Sequence, residues 1–228
     1  MGTYKESDEQ FLYSFNFMAE EMIKRNNETL YELYNIINLF DGNLFHAIKA
    51  YEYFDNSFNE YKLSKEETFK ILLDTTYHVN YCIRLLSTLD DIMNKLIVKI
   101  YLYHNEEIKF EGQKAWDYTN FYKNTIKKDK HNELELPNIN TINKFTVNDR
   151  HIFTHEGVNL IVDPVIEEDG MTKWYGINAK VIKTKQVDLL EQYKSDINKD
   201  INNIKYSVQK CKSILFPMFD EEEKKVIR

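Results

Sequence analysis

An all-α bundle carrying one small β-hairpin is the fold this chain predicts, and three observations predict it. Glycine and proline are scarce, six and three in 228 residues, which leaves little local punctuation for a many-stranded sheet. Apolar residues recur at three- and four-residue spacing through most of the chain, the period at which side chains line one face of a helix. That period gives way in a single late stretch, where the hairpin is expected. The reading is an up-and-down bundle of about five main helices in one domain over residues 1–228, whose 43% hydrophobic content is enough for a core.

The first helix is predicted over 5–26, where Phe11, Leu12, Phe15, Met18, Met22 and Ile23 share a face and Asn26-Asn27 marks the end. A second follows over 28–58 through Leu30, Leu33, Ile36, Ile37, Phe40, Leu44, Phe45, Ile48, Tyr51 and Phe54, with a kink or break expected at Asp41-Gly42-Asn43. The third starts at Ser64, where Ser64-Lys65-Glu66-Glu67 forms a capping box, and runs to about His104, a length of roughly 60 Å. Its heptad seam reads Phe69, Leu72, Thr76, Val79, Ile83, Leu86, Asp90, Met93, Ile97, Ile100 and His104. An acid therefore falls where an apolar side chain is expected, and a buried carboxylate needs a partner. Arg150 is the candidate partner, which Asp90 would orient. The alternative is a helix rotated so that Asp90 and Asp91 face water.

Residues 105–113 read as a loop, and 114–126 as a short helix with Trp116, Tyr118 and Phe121. A charged connection over 127–136 leads to Pro137, and another short helix is expected at about 138–146. After Gly157 the segments Val158–Ile166 and Met171–Lys183 are rich in Val, Ile, Trp and Tyr and flank Glu168-Asp169-Gly170, a turn signal. They predict a hairpin insertion at about 158–183, supported on the bundle or on a second subunit, because a lone hairpin is marginal. The last helix is predicted from Gln186 to Leu215, with Val187, Leu190, Tyr193, Ile197, Ile201, Ile204, Val208, Cys211 and Leu215 on one face. Pro217 is expected to end it, leaving a charged, solvated tail over 217–228.

Cys82 and Cys211 stand far apart in apolar helical patterns, which predicts buried free thiols and a reducing, cytoplasmic setting. The first residues lack an apolar signal core and no stretch reaches the ~18 apolar residues of a membrane span, so neither export nor membrane insertion is expected. A net charge of −7 disfavours indiscriminate nucleic-acid binding. The charge is unevenly spread, however: residues 114–155 carry seven Lys/Arg against five Asp/Glu. Lys123, Lys127, Lys128 and Lys130 cluster there and read either as a cationic, RNA-binding lip or as a solvated loop. No Gly-rich phosphate loop, Cys-x2-Cys pair or Gly-x-Ser-x-Gly elbow is present.

The chemistry concentrates in Asn148-Asp149-Arg150-His151-Ile152-Phe153-Thr154-His155-Glu156. Asn148 or Asp149 suits a helix N-cap and Gly157 a helix stop, so this stretch reads as a short helix. His151 and His155 share a face, and Arg150 lies about 140° around the axis from His155, within reach of its long side chain. A guanidinium matches phosphate oxygens as a planar fork, while imidazole moves protons near neutrality. The pair can thus converge on one phosphate, one group moving the proton of a ribose 2′-OH or leaving 5′-oxygen, the other neutralising charge on phosphorus. Two blander readings stand beside this one: an exposed ion-pair residue set, or a zinc site on His151 and His155 with Asp149, Glu156 or His131 as third ligand. His46, His78 and His131 otherwise read as structural or exposed.

The run Arg150-His151-Ile152-Phe153-Thr154-His155, with a polar residue directly after the arginine, resembles the Arg-x4–6-His motif of the HEPN superfamily. The resemblance implies an all-α fold, a homodimer and a metal-independent endoribonuclease with Arg150 and His155 as the central pair in a cleft at the dimer interface. It also implies a toxin–antitoxin, phage-defence or RNA-processing setting, with RNA and an antitoxin protein as partners and no cofactor. One subgroup carries a tyrosine two residues after the histidine; this chain has Gly157 there, so neither that subgroup's chemistry nor its antitoxin is carried over. The expected catalytic set is therefore Arg150, His155 and His151, with no metal. The alternative function is a non-catalytic RNA- or nucleotide-binding, or dimeric interaction, protein on the same scaffold.

Overall fold

The computed structural model describes residues 27–64, 69–138 and 179–226. Among them are four α-helices and no strand: α1 (Glu28–Leu63), α2 (Phe69–His104), α3 (Ala115–Asn124) and α4 (Ala179–Val226), with a 3₁₀ turn at Ile126–Lys128. The all-α expectation therefore holds for these residues. The first predicted helix, the short helix from residue 139 on and most of the hairpin lie outside the described residues. No helix among the described residues is long and apolar enough to cross a membrane.

The side chains that the three-and-four spacing pointed inward are the ones that are buried. On α2 Leu72, Thr76, Val79, Ile83, Leu86, Asp90, Met93, Ile97 and Ile100 are all buried, and His104, the last seam position, is exposed. Asp90 retains only 6% exposure, so the rotated alternative that put it in water is overturned; the seam's register fixes its direction. On α4 the predicted face from Leu190 to Leu215 is buried throughout. On α1 the match is looser: Phe45 points outward, 44% exposed.

α1 runs to Leu63, five residues past the expected end at 58, and three further features differ from the sequence reading. First, α1 passes unbroken through Asp41-Gly42-Asn43. Asn27 starts the helix by accepting the Leu30 N–H at 3.1 Å, and the flanking buried run of Phe40 and Leu44 outweighs one interior glycine, which costs only about 1 kcal/mol. Second, Ala179–Lys183 is helical and not the end of a strand, so α4 starts seven residues before Gln186; alanine and lysine are strong helix formers, and the apolar period of α4 extends the helix backward. Third, Pro217 lies inside α4, which continues to Val226. An interior proline costs about 3 kcal/mol or more, but Met218 and Phe219 beyond it are buried, and burying two such side chains contributes about 1.5–3 kcal/mol each. The tail expected to be frayed is therefore helical to Val226.

By contact density the chain divides into two compact units, and α1, α2 and α4 each contribute a segment to both. Described residues 27–45, 88–138 and 201–226 belong to the first unit. Its core includes Leu33, Ile37 and Phe40 of α1, Leu96 and Ile97 of α2, and Val208 and Leu215 of α4. Lys99 of α2 bonds Glu32 of α1 at 2.8 Å, and the Cys211 thiol of α4 lies 3.8 Å from the Met93 sulfur of α2.

The second unit holds described residues 46–64, 69–87 and 179–200. Ala47 pairs with Cys82 and Tyr53 with His78, so α1 and α2 are antiparallel in this unit. Along the α1–α4 seam Tyr61 donates to Gln186 at 2.6 Å, Lys62 pairs with Glu191 at 2.8 Å, Lys194 pairs with Asp55, and Asn198 donates to the Tyr51 hydroxyl at 2.6 Å. The numbers ascend on one helix as they descend on the other, so α4 also runs against α1 and with α2. Half-exposed pairs of this kind contribute only about 0–1 kcal/mol each, and their effect is to fix register. Buried Thr75 and Thr76 return their hydroxyl protons to the carbonyls of Ile71 and Leu72 at 2.7 and 2.6 Å. Burial, with the Asp200 carboxylate nearby, pushes the Cys82 thiol well above its usual range.

A Cβ added at Gly42 would meet nothing within 4 Å. The expected effect of Gly42→Ala is therefore a gain of about 0.5–1 kcal/mol from the smaller backbone entropy lost on folding, read as an upward shift of the urea midpoint at constant slope.

Candidate functional site

The most distinctive surface among the described residues is built on α3, in the first unit. The chain leaves α2 through Asn105, whose side chain donates to the Tyr101 carbonyl at 2.9 Å, and reaches α3 by way of Gly112. That position has no room for a side chain: a Cβ there would lie 2.3 Å from the Phe110 ring and 2.6 Å from the Asp117 Cβ. Asp117 closes the start of α3, its Oδ2 accepting the N–H groups of Gln113 and Lys114 at 3.0 and 2.9 Å. A carboxylate in the first turn also meets the positive end of the helix dipole.

The inner face of α3 is aromatic. Tyr118 and Tyr122 are buried, and Ile126 of the following 3₁₀ turn with them. Phe110 stands against the rings of Tyr118 and Phe121, with centroids 5.0 and 4.7 Å apart, and Tyr101 of α2 meets Phe121 edge-on at 6.3 Å. Lys95 of α2 lies over the Tyr118 ring at 5.9 Å, a favourable seat for a cation. The Tyr122 hydroxyl donates to the Pro137 carbonyl at 3.4 Å, which ties the chain beyond the turn back onto the helix.

The outer face presents charge. Lys123, Lys127, Lys128 and Lys130 are all exposed, and none forms an ion pair with a described residue. Five lysines on the long helices, Lys49, Lys62, Lys99, Lys194 and Lys199, each lie within ion-pair distance of a carboxylate, whereas Lys70, Lys95 and Lys210 form no ion pair with a described residue. Two acids of this segment, Asp117 and Asp129, are committed to local bonds, while Glu133 and Glu135 beyond the turn are exposed. Asp117 is the helix cap, and Asp129 accepts the Tyr101 hydroxyl at 2.7 Å and the His131 N–H at 2.9 Å. Donation from Tyr101 holds the Asp129 carboxyl below its usual 3.8, with the His131 N–H adding to the effect. Burial, reinforced by the Asp129 charge, pushes the Tyr101 phenol up to about 12. The bond thus joins a neutral phenol to an ionised carboxylate across the physiological range, and it pins the lysine-bearing turn to α2.

One further residue completes this face. Trp116 is 63% exposed and makes no ring contact with a described residue. At ~100° per residue it lies about 200° from Tyr118 and within roughly 20° of Lys123. The sequence reading placed Trp116 on the right helix without noticing that it faces outward; the same helical wheel that buries Tyr118 and Tyr122 carries that information.

Of the residues predicted to form the site, Arg150, His151 and His155 lie outside the described residues. Asp90 is buried on α2 and makes a polar or electrostatic interaction; its expected partner Arg150 is not among the described residues. His78 stacks on Tyr53 with centroids 5.2 Å apart and lies 3.6 Å from Asp74, while His46 and His131 are exposed. Among the described residues no group of three or more His, Cys, Asp or Glu side chains is arranged to hold a metal ion.

Because Tyr101 holds Asp129, removing the hydroxyl should free a turn that contains three lysines. Tyr101→Phe is expected to speed tryptic cleavage after Lys127, Lys128 and Lys130 several-fold, with the helical circular dichroism kept; mass mapping of the early fragments checks this. In the intact protein the contribution of the Asp129 bond is present above the carboxyl's unfolded value of 3.8 and is lost as pH falls through its lower folded value. Comparison of the chain with family models, with curated proteins and with solved structures gave no match.

Proposed function

We propose that this protein is a helical, RNA-binding endoribonuclease that cleaves by 2′-OH transesterification without a metal ion, in a toxin–antitoxin, phage-defence or RNA-processing role in the cytoplasm. The observation that carries the RNA-binding half is the row of four exposed lysines over 123–130, none of them in an ion pair with a described residue. On a chain of net charge −7, such a row concentrates cationic potential at one edge, where a phosphate backbone gains most. The cleavage half rests on the Arg150-x4-His155 spacing. In this reading Arg150 binds the scissile phosphate and stabilises charge developing on it, His155 transfers the proton, and His151 positions the strand or shares the proton transfer. A homodimer would bring two such motifs to one cleft, and an antitoxin protein is a further partner in this reading.

The four lysines favour a second reading as well, RNA binding without turnover, since they need no chemistry from the motif. Incubation of total RNA with purified protein in EDTA separates the two. Wild type is expected to leave 2′,3′-cyclic phosphate and 5′-hydroxyl ends, with Arg150→Ala and His155→Ala each slower by about a hundredfold or more. Equal cleavage by all three proteins would remove the enzyme reading and leave the binding one.

Salt dependence tests the lysines separately. Each phosphate contact on a single strand contributes about 0.7 to the slope of log affinity against log salt. Replacing Lys123, Lys127, Lys128 and Lys130 together by Ala should flatten that slope by about 2 to 3 in a fluorescence-anisotropy titration.

A further inference from the structure

We propose that Trp116 is a stacking platform for an unpaired nucleobase, so that the nucleic acid taken by the α3 face is single-stranded. The inference deepens the RNA-binding reading above and rests on it. α3 has four aromatic residues, and three of them, Tyr118, Phe121 and Tyr122, serve the inner cluster or are buried. The fourth and largest stands 63% exposed on the opposite face. Among the described residues it makes no ring contact, and Phe110, Tyr101 and Lys95 meet the inner rings of α3 without it.

Its neighbours supply a reason. Lys123 follows two helical turns later on nearly the same azimuth, about 10 Å along the axis at ~1.5 Å per residue. Lys127 follows, exposed, on the 3₁₀ turn, and half-exposed Thr119 and Asn120 lie between Trp116 and Lys123. The one acid of α3, Asp117, turns its Oδ2 to the backbone of Gln113 and Lys114 at the helix start. An indole face beside a line of cations is the combination that holds single strands: the ring takes a base, the cations take the backbone, and no sequence is read. Bases in a duplex are already stacked on one another and offer the indole no face, and A-form helices are recognised by shape and backbone instead. Charge complementarity to a polyanion selects this occupant over an apolar protein surface.

The test uses the full chain and an unstructured 2′-O-methyl oligoribonucleotide of about a dozen nucleotides, which lacks the hydroxyl needed for self-cleavage, with a duplex of equal length as comparison. Wild type should bind the single strand more tightly than the duplex. Trp116→Ala should weaken single-strand binding roughly 5- to 150-fold, the range that loss of one stacked base gives. Duplex binding should be unchanged, and Trp116→Phe should restore most of the loss. In a Trp174→Phe background, where Trp116 is the remaining tryptophan, the single strand should quench the indole fluorescence. If wild type binds the single strand and Trp116→Ala binds it equally well, the stacking role is refuted while the RNA-binding reading stands. If wild type binds neither oligonucleotide at low salt, the RNA-binding reading itself falls. A change in the sedimentation of Trp116→Ala with unaltered RNA affinity would assign the indole to a protein contact and refute the proposal.

Discussion

Each long helix depends on having its apolar stripe covered by the other two. Helices of 36, 36 and 48 residues with so many asparagines, lysines and glutamates on their outer faces gain little from intrinsic propensity alone, and most helical stability in proteins comes from tertiary burial. In both units the buried positions of α1, α2 and α4 are dominated by Leu, Ile, Val and Phe, while a few large apolar side chains, Leu39, Phe45 and Tyr77 among them, stand exposed outside the stripes. The departures from sequence expectation obey the same constraint. An interior glycine and an interior proline are both carried because buried residues stand on either side of them, and the helix continues wherever continuing covers more apolar surface.

The same stripes carry polar groups, which shows where register is specified. Asp41, Asp90, Asn94 and Lys212 of the first unit and Asp200 of the second are buried, and each makes a polar or electrostatic interaction. A purely apolar stripe tolerates sliding by a turn, whereas a buried charge that loses its partner costs several kcal/mol. Such groups penalise every alternative alignment more than they reward the native one. The side-chain bonds along the α1–α4 seam of the second unit act in the same sense, at much smaller individual cost.

Much of the helical framework was legible in the sequence because it follows from periodicity alone. The seam of α2 put Asp90 on the inward line but left open a rotation facing it to water, which its burial decides, and the face of α4 was read from Val187 to Leu215, of which Val187 is only half-buried. What escaped depended on comparing energies across a helix. Gly42 and Pro217 were read as punctuation, which is their local tendency, but the burial of Phe40, Leu44, Met218 and Phe219 decides the outcome. At the candidate site the four lysines were visible as a cluster. Their lack of an ion pair with the described residues was not, since spacing does not tell which way a carboxylate such as Asp129 turns, and it turns to Tyr101. Gly112 was read as part of a loop, yet a side chain there would run into both the Phe110 ring and Asp117 of α3.

The interior position of both cysteines has a practical corollary. The chain contains only Cys82 and Cys211, both buried, and burial pushes the Cys211 thiol up to about 12, so neither offers a thiolate to a reagent in solution at neutral pH. A maleimide-linked fluorophore or nitroxide attached through one introduced surface cysteine would therefore label a single chosen position, with no native thiol first removed. Probes placed in pairs would then report distances within the working protein by energy transfer or spin resonance.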